Sequence, residues 1–357
     1  MRFSGRRPED RMPENTKIST PDANTKNVYL LTGCAGFIAS NVAEMLLEDG
    51  HTVYGLNDRN DAYPVLLKDW RLAQLKRFPK FHFHELNITD RPALEHFFQE
   101  TLRRENRTSF SACIHLAARA GVRYSAINPW IYFETNVTGT LNLLELCRNS
   151  ETRKFILASS SSVYGNSTAE IFREDQPTDT PCSPYAASKK SAEALVFSYR
   201  HLYGLDASVL RFFTVYGPAG RPDMSILRFI HAIAAEKPLC LYGDGSQARD
   251  FTYCRDIASG VIRSLKPVGY SIFNLGGDHT YTVNQLIETI AEQLGKTPRI
   301  DRHPAHPADV ARTHADISRA RTILGWEPVW NFQDGIAQTI EWYLAHQDWV
   351  GRVIESA

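Results

Sequence analysis

Residues 28–50 read VYLLTGCAGFIASNVAEMLLEDG. Val28 to Thr32 is short and apolar, as a buried parallel strand should be. Gly33-Cys34-Ala35-Gly36 follows at once. The spacing then turns helical: Ile38, Val42, Met45 and Leu46 share a face, and Gly50 stops it. Gly33, Gly36 and Ala39 form a G-x-x-G-x-x-A pattern between strand and helix. Gly33 permits a tight turn, and Gly36 lets the backbone approach a pyrophosphate at the helix N-terminus. Ala39 keeps that helix close to the sheet. This is the signature of a dinucleotide-binding turn.

The same alternation continues downstream. TVYGLN (Thr52 to Asn57), FHFHELNI (Phe81 to Ile88), ACIHLAA (Ala112 to Ala118), KFILASS (Lys154 to Ser160) and ASVLRFF (Ala207 to Phe213) read as strands. Helices are expected near 91–105, 132–147 and 183–203. Such alternation predicts an α/β fold, a doubly wound parallel (Rossmann) sheet. After Thr214 the texture changes, with more Gly and Pro and with helices near 282–295, 317–324 and 332–345. SIFNLGG (Ser271 to Gly277) reads as one last sheet strand. The expected division is a mobile polar tail over 1–26, and a Rossmann domain over 27–213 plus about 250–278. A smaller mixed α/β substrate-binding region takes 214–249 plus 279–357, at the carboxyl ends of the strands.

The 357 residues carry 40 Lys plus Arg against 40 Asp plus Glu, a formal net charge of +0. That balance gives no reason to expect nucleic acid or an anionic membrane as partner. No run of about 18 apolar residues is present to span a bilayer, and the N-terminal stretch lacks the apolar centre of a secretory signal. The six cysteines form no C-x-x-C pair, and no His cluster has zinc spacing. Reduced thiols in a cytoplasmic protein with no metal are expected.

A carboxylate ordinarily ends the second strand to accept from ribose hydroxyls. Here Asn57 holds that place, followed by Asp58 and Arg59. Asn57 can still bond a diol, whereas Arg59 could meet a 2′-phosphate; NAD is favoured over NADP. Asn87, after the third strand, is either an adenine contact or a turn former.

The catalytic candidates come from two segments. ILASSSSVYG ends a strand with the serines 159–162, and SPYAASKKS places Tyr185 and Lys189 four apart on one helix face. A phenol with an ordinary pKa of about 10 is a useful base near neutrality only if that value falls. A nearby ammonium, which Lys189 can supply, favours the phenolate. Lys189 can also hold a nicotinamide ribose, and Ser160 can bond the substrate oxygen and position it.

With these elements in place, the chain resembles the NAD-dependent epimerase/dehydratase branch of the extended short-chain dehydrogenase/reductase family. RFFTVYGPAGRPDM (Arg211 to Met224), GDGSQARDFTYCRDI (Gly243 to Ile257) and HPADVARTHADISRA (His306 to Ala320) resemble the nucleotide-sugar 4-epimerases acting on UDP-glucuronate. The resemblance implies Ser160, Tyr185 and Lys189 as catalytic triad. It implies Gly33, Gly36, Phe37, Ile38, Asn57, Asn87, Ile88, Leu116, Ala117, Ala118, Asn136 and Phe212 around the dinucleotide. Arg249 and Asp309 match positions near the UDP pyrophosphate and ribose; Thr214 and Arg221 match positions near the sugar. It also implies a homodimer through the helices near 132–147 and 183–203. Asn57 and Asn87 depart from the family's usual Asp, Arg119 from a common Gln, and Ala219 from a common Trp.

The expected activity is nucleotide-sugar 4-epimerisation with tightly bound NAD. The resembling dehydratases carry Asp-Glu before Val-Tyr-Gly, where this chain has Ser161-Ser162. A 4-keto uronate is a β-keto acid that loses carbon dioxide readily, so Arg221, Thr214, Ser161 and Ser162 are expected to stabilise its carboxylate. The alternatives are a dehydratase or decarboxylase on the same scaffold, or a non-catalytic dinucleotide sensor.

Overall fold

The structure, a computed structural model, describes residues 26–305 and 310–357. The tail and Asp309 named above therefore lie outside the described residues, apart from Lys26. The first half runs β1 (Val28–Thr32), α1 (Phe37–Glu48), β2 (Thr52–Asn57), α2 (Val65–Leu75), β3 (Phe81–Glu85), α3 (Arg91–Arg104) and β4 (Ala112–His115). Short helices α4 (Val122–Ile127) and α5 (Trp130–Phe133) follow, then a π-turn over Glu134–Thr138 and α6 (Gly139–Asn149). Next come β5 (Lys154–Ser160), α7 (Pro184–Tyr203), β6 (Asp206–Phe212), β7 (Thr214–Tyr216), α8 (Ser225–Ala234) and β8 (Pro238–Tyr242). The chain closes with β9 (Ala248–Tyr253), α9 (Cys254–Arg263), β10 (Tyr270–Leu275), β11 (Thr280–Thr282), α10 (Val283–Leu294), β12 (Arg299–His303) and α11 (Phe332–Glu355).

Seven strands form one parallel sheet in the order β10-β6-β5-β4-β1-β2-β3. β1 and β5 are buried at every position, because helices cover both faces of a parallel sheet. The order reverses between β1 and β4, which opens a crevice at the carboxyl ends of those strands. The glycine turn and the 116–121 loop both start there.

Helix termini follow local chemistry. Ser183 caps α7 by accepting from the Ala186 N–H, Pro184 occupies the first turn, and Gly204 ends the helix in the left-handed region. That fixes where Tyr185 and Lys189 start.

Four details differ from the sequence expectation. Leu86 to Ile88 and Leu116 to Ala118 leave the sheet early and become loops over the crevice. The helix expected over 132–147 is continuous but widens into a π-turn at Glu134–Thr138. Helix α2 was not anticipated, because buried Lys68 and Arg71 interrupt its apolar face. Finally, residues 250–253 belong to a small sheet, so the chain returns to the main layers at Cys254.

Two small sheets, β11-β9-β7 and β12-β8, join α8, α10 and α11 around a separate apolar core. They were not legible as strands. Of β12 only His303 is even half-buried, so no alternation marks it.

Candidate functional site

Gly33 sits at φ +77, and a Cβ there would come 2.8 Å from the Ala117 nitrogen. At Gly36 a Cβ would meet the Gly33 carbonyl at 2.8 Å. Both glycines therefore serve close backbone approach. Gly36 begins α1 with no side-chain cap, so the first N–H groups beside Phe37 and Ile38 are left for an anion. This cradle suits a pyrophosphate. Thr32 ties the two sides of the crevice together: its hydroxyl accepts from the Ala117 N–H at 3.1 Å and contacts His115 Nδ1 at 2.8 Å.

At the ribose end, Asn57 Oδ1 accepts the Arg59 N–H at 2.8 Å. Asp58 accepts from the Asn60 amide at 2.6 Å. Arg59 forks onto Asp69 with two 2.9 Å bonds and reaches Glu85 at 3.2 Å. Its guanidinium is thus occupied by carboxylates, which opposes a role in holding a 2′-phosphate. Asn87 Oδ1 accepts both the N–H and the hydroxyl of Thr89 at 2.9 Å, the geometry of a turn former. Ile88 is core, packed over Gly139. Leu116, Ala117 and Ala118 are half-buried along the crevice. Phe212 ends β6, buried. Asn136 spends its amide on Arg119, accepting its N–H at 2.8 Å and donating to its carbonyl at 3.0 Å, and donates to Ser188 at 2.9 Å. It holds the 116–121 loop against α7.

The serine cluster divides into separate roles. Ser159 donates to buried Glu193 at 2.6 Å, and Glu193 is bound by Arg211 at 2.9 and 2.8 Å. Ser160, Ser161 and Ser162 start a 3₁₀ turn at the end of β5. Ser160 Oγ accepts the Ser162 N–H and donates to the Ser162 hydroxyl, each at 3.1 Å.

Tyr185 is buried, with its ring edge-on to Tyr132 at 6.1 Å. Burial pushes its phenol up from 10, while a bond to Ser160 and then the charge of Arg221 pull it back. The charge of Arg221 thus bears on this phenol. Lys189, which the sequence suggested for that charge, instead donates to the Ala158 carbonyl at 2.8 Å. Burial brings its ammonium down to about 8, with Glu193 opposing.

Arg221 lies in a cleft with Phe37, Thr214, Gly217 and Gly220. Burial works against its charge, but Asp223 restores it through bonds of 3.0 and 2.5 Å, so its pKa is raised. The cleft thus brings two sugar-site candidates to the dinucleotide turn. Arg249 sits on β9 opposite Tyr281, donating to the Ala248 carbonyl at 2.9 Å. Its neighbour Asp250 is fully buried; burial pushes it up to about 6 against the Gly277 and Ala315 N–H groups.

Cys240, Asp301 and His303 gather on the β8–β12 pair with ligand atoms within 4.8 Å of one another. His303 and Asp301 are already bonded at 3.1 Å, and none of the three lines the cleft.

Residues 30–339 match the family model described as GDP-mannose 4,6 dehydratase. The chain belongs to that family, within the extended short-chain dehydrogenases/reductases. A UDP-glucuronate 4-epimerase of Thermodesulfobacterium geofontis is 52% identical over 315 residues, covering 88% of this chain and 95% of that one. The UDP-glucuronate 4-epimerase 4 of Arabidopsis thaliana is 38% identical, covering 95% of this chain and 80% of its own. Among solved structures, the UDP-glucuronic acid 4-epimerase of Bacillus cereus with UDP-glucuronic acid and NAD has a TM-score of 0.82 at 32% identity. It covers 89% of this chain and 99% of its own.

Arg71, Lys68, Glu193 and Arg211 belong to no motif that marks them in the sequence. Glu193 on α7 and Arg211 on β6 form a buried pair. For Arg71 and Lys68, charged residues at core-facing helical positions were the available signal.

Proposed function

We propose that this chain interconverts UDP-glucuronate and UDP-galacturonate by epimerisation at C4. The observation that carries this is that Ser160 and Arg221 both act on Tyr185, and that Arg221 lines a cleft with Phe37 of the dinucleotide-turn helix. The family relatives named UDP-glucuronate 4-epimerases support it.

The glycine-turn cradle at Gly33 and Gly36 would hold NAD, which would supply the hydride acceptor and donor for C4. The chain does the rest. Tyr185 takes the C4 hydroxyl proton and gives it back to the epimer. Ser160 bonds the same oxygen, which aligns it with the phenol. The phenol works against burial, so the Arg221 charge is needed to favour the phenolate. Lys189, held by the Ala158 carbonyl and brought to about 8, is a donor for the nicotinamide ribose. The 4-keto sugar turns about its link to UDP while Arg249, and Asp309 beyond the described residues, hold the nucleotide.

Arg221, Thr214, Ser161 and Ser162 hold the uronate carboxylate as an anion. Decarboxylation consumes that charge, so each such bond raises the barrier to it. Ser161 and Ser162 offer no carboxyl acid or base for eliminating water, which disfavours dehydration.

No helix among the described residues is long and apolar enough to cross a membrane. We place the enzyme in the cytoplasm, where its free cysteines stay reduced. We propose a homodimer through α5, α6 and α7, because Trp130 is 82% exposed and Phe133, Leu141 and Phe197 on the same helices are also exposed.

The test is incubation of the purified protein with UDP-glucuronate. Conversion to UDP-galacturonate at unchanged mass supports the proposal. Loss of water or carbon dioxide as the main course overturns it.

A further inference from the structure

Helix α2 belongs to both halves of the molecule. Leu67 packs in the core of the small sheets, whereas Leu72 and Leu75 pack under β1 and α1. Trp70 meets Trp342 of α11 edge-on at 5.5 Å. Between these anchors sits Arg71, only 2% exposed.

Its guanidinium uses three nitrogens on three segments. Nη1 donates to the Ala35 carbonyl at 2.9 Å and to the Tyr63 hydroxyl at 2.7 Å. Nε and Nη2 donate to the Ala219 carbonyl at 3.1 and 2.7 Å, and Nη2 reaches the Gly220 carbonyl at 3.2 Å. One side chain thus grips the dinucleotide turn and the turn that leads into Arg221. Its partners among the described residues are carbonyls and a phenol, with no carboxylate. Burying a cation that way costs stability, so a geometric duty must keep it there.

Ala219 identifies the duty. Its φ of +51 is a conformation that side chains disfavour. Strained backbone persists when its surroundings over-determine it, and here two donors from Arg71 fix the Ala219 carbonyl. Two residues on, Arg221 bonds Asp223, and its Nη2 lies 4.0 Å from where a Cβ on Gly121 would stand. The direction in which Arg221 leaves the backbone is set by this turn. A lysine cannot replace the grip, because one ammonium cannot present planar, divergent donors to Ala35 and to Ala219 together.

We propose that Arg71 is a positioning residue: it locks the Ala219–Gly220 turn to the dinucleotide turn so that Arg221 meets the substrate carboxylate where Tyr185 works. This rests on the UDP-glucuronate function proposed above. Arg71 touches neither substrate nor reacting atoms; it acts through Arg221.

The test uses Arg71→Lys and Arg71→Gln, each alone and combined with Arg221→Ala, in the NAD-loaded protein. Either variant serves if the other fails to fold. Three readouts are taken: bound NAD, hydrogen exchange of the peptide 217–224, and kcat and KM with the fraction of decarboxylated product. NAD should be retained, and exchange over 217–224 should quicken by about ten-fold or more. On UDP-glucuronate kcat should fall by about ten- to a hundred-fold, with more decarboxylated product. On the Arg221→Ala background the further loss should be under about two-fold, since coupled residues are not additive. Unchanged exchange, multiplying effects, or lost NAD with an unmoved loop would each overturn the proposal. If the unaltered enzyme leaves UDP-glucuronate untouched, the functional reading fails, and the exchange measurement still decides whether Arg71 holds the turn.

Discussion

Replacing Lys189 with Met should stabilise the NAD-free protein while abolishing turnover. Lys189 is 4% exposed, and burial brings its ammonium from 10.5 down to about 8. At about 1.4 kcal/mol per pH unit, holding the charged form in the fold at pH 7 costs about 3 kcal/mol. Removing the ammonium strands the Ala158 carbonyl, which returns roughly 1–2 kcal/mol of that. The net gain is about 1–2 kcal/mol, a rise of about 1–3 °C in Tm for a chain of this size. The sign with pH follows from the depressed folded value. Below pH 8 folded and unfolded chains both carry the proton, and the penalty is complete. Between 8 and 10.5 the unfolded chain holds a proton that the folded one has lost, so the native enzyme gains stability as pH rises. At pH 9.5 the penalty falls to about 1 kcal/mol, and the advantage of the Met variant should largely vanish. Urea unfolding of both proteins at pH 7 and 9.5 measures this. A Met variant less stable at pH 7, or a gap that does not narrow with pH, would refute the reasoning.

Tyr185→Phe should keep fold and bound NAD and lower kcat by about 10²–10⁴-fold, read as UDP-galacturonate formation. Arg221→Ala removes charge-assisted bonds worth about 1.5–3 kcal/mol; it should slow epimerisation about ten- to a hundred-fold and release carbon dioxide from a larger share of turnovers, read by product mass. Untying Arg59 with Asp69→Asn and Glu85→Gln together should narrow the preference for NAD over NADP, measured by competition for the emptied site; an unchanged preference would mean that Arg59 does not govern it.

The sheet was legible because most of its strands are apolar runs beside turn residues, with β3 alternating instead. The glycine turn, the serine strand end and the Tyr185–Lys189 pair were likewise readable as spacing. What sequence concealed was partnership. Asn136 stands at a cofactor-like position, yet its amide is consumed by Arg119 and Ser188. Lys189 is in register with Tyr185, but the charge of Arg221, 36 residues along the chain, also bears on the phenol. Contacts of that separation leave no periodicity. Helix α2 escaped because Lys68 and Arg71 occupy positions where a core helix shows apolar residues; strand β12 is too exposed to alternate, and β8 buries Leu239 and Leu241 alternately but is only five residues long and starts on Pro238.

The most direct test follows one hydrogen. UDP-glucuronate deuterated at C4 should yield UDP-galacturonate with the deuterium still at C4, undiluted by water or by added reduced cofactor. Deuterium lost to solvent, or protium gained at that carbon, would contradict an oxidation and reduction closed within one site beside Tyr185.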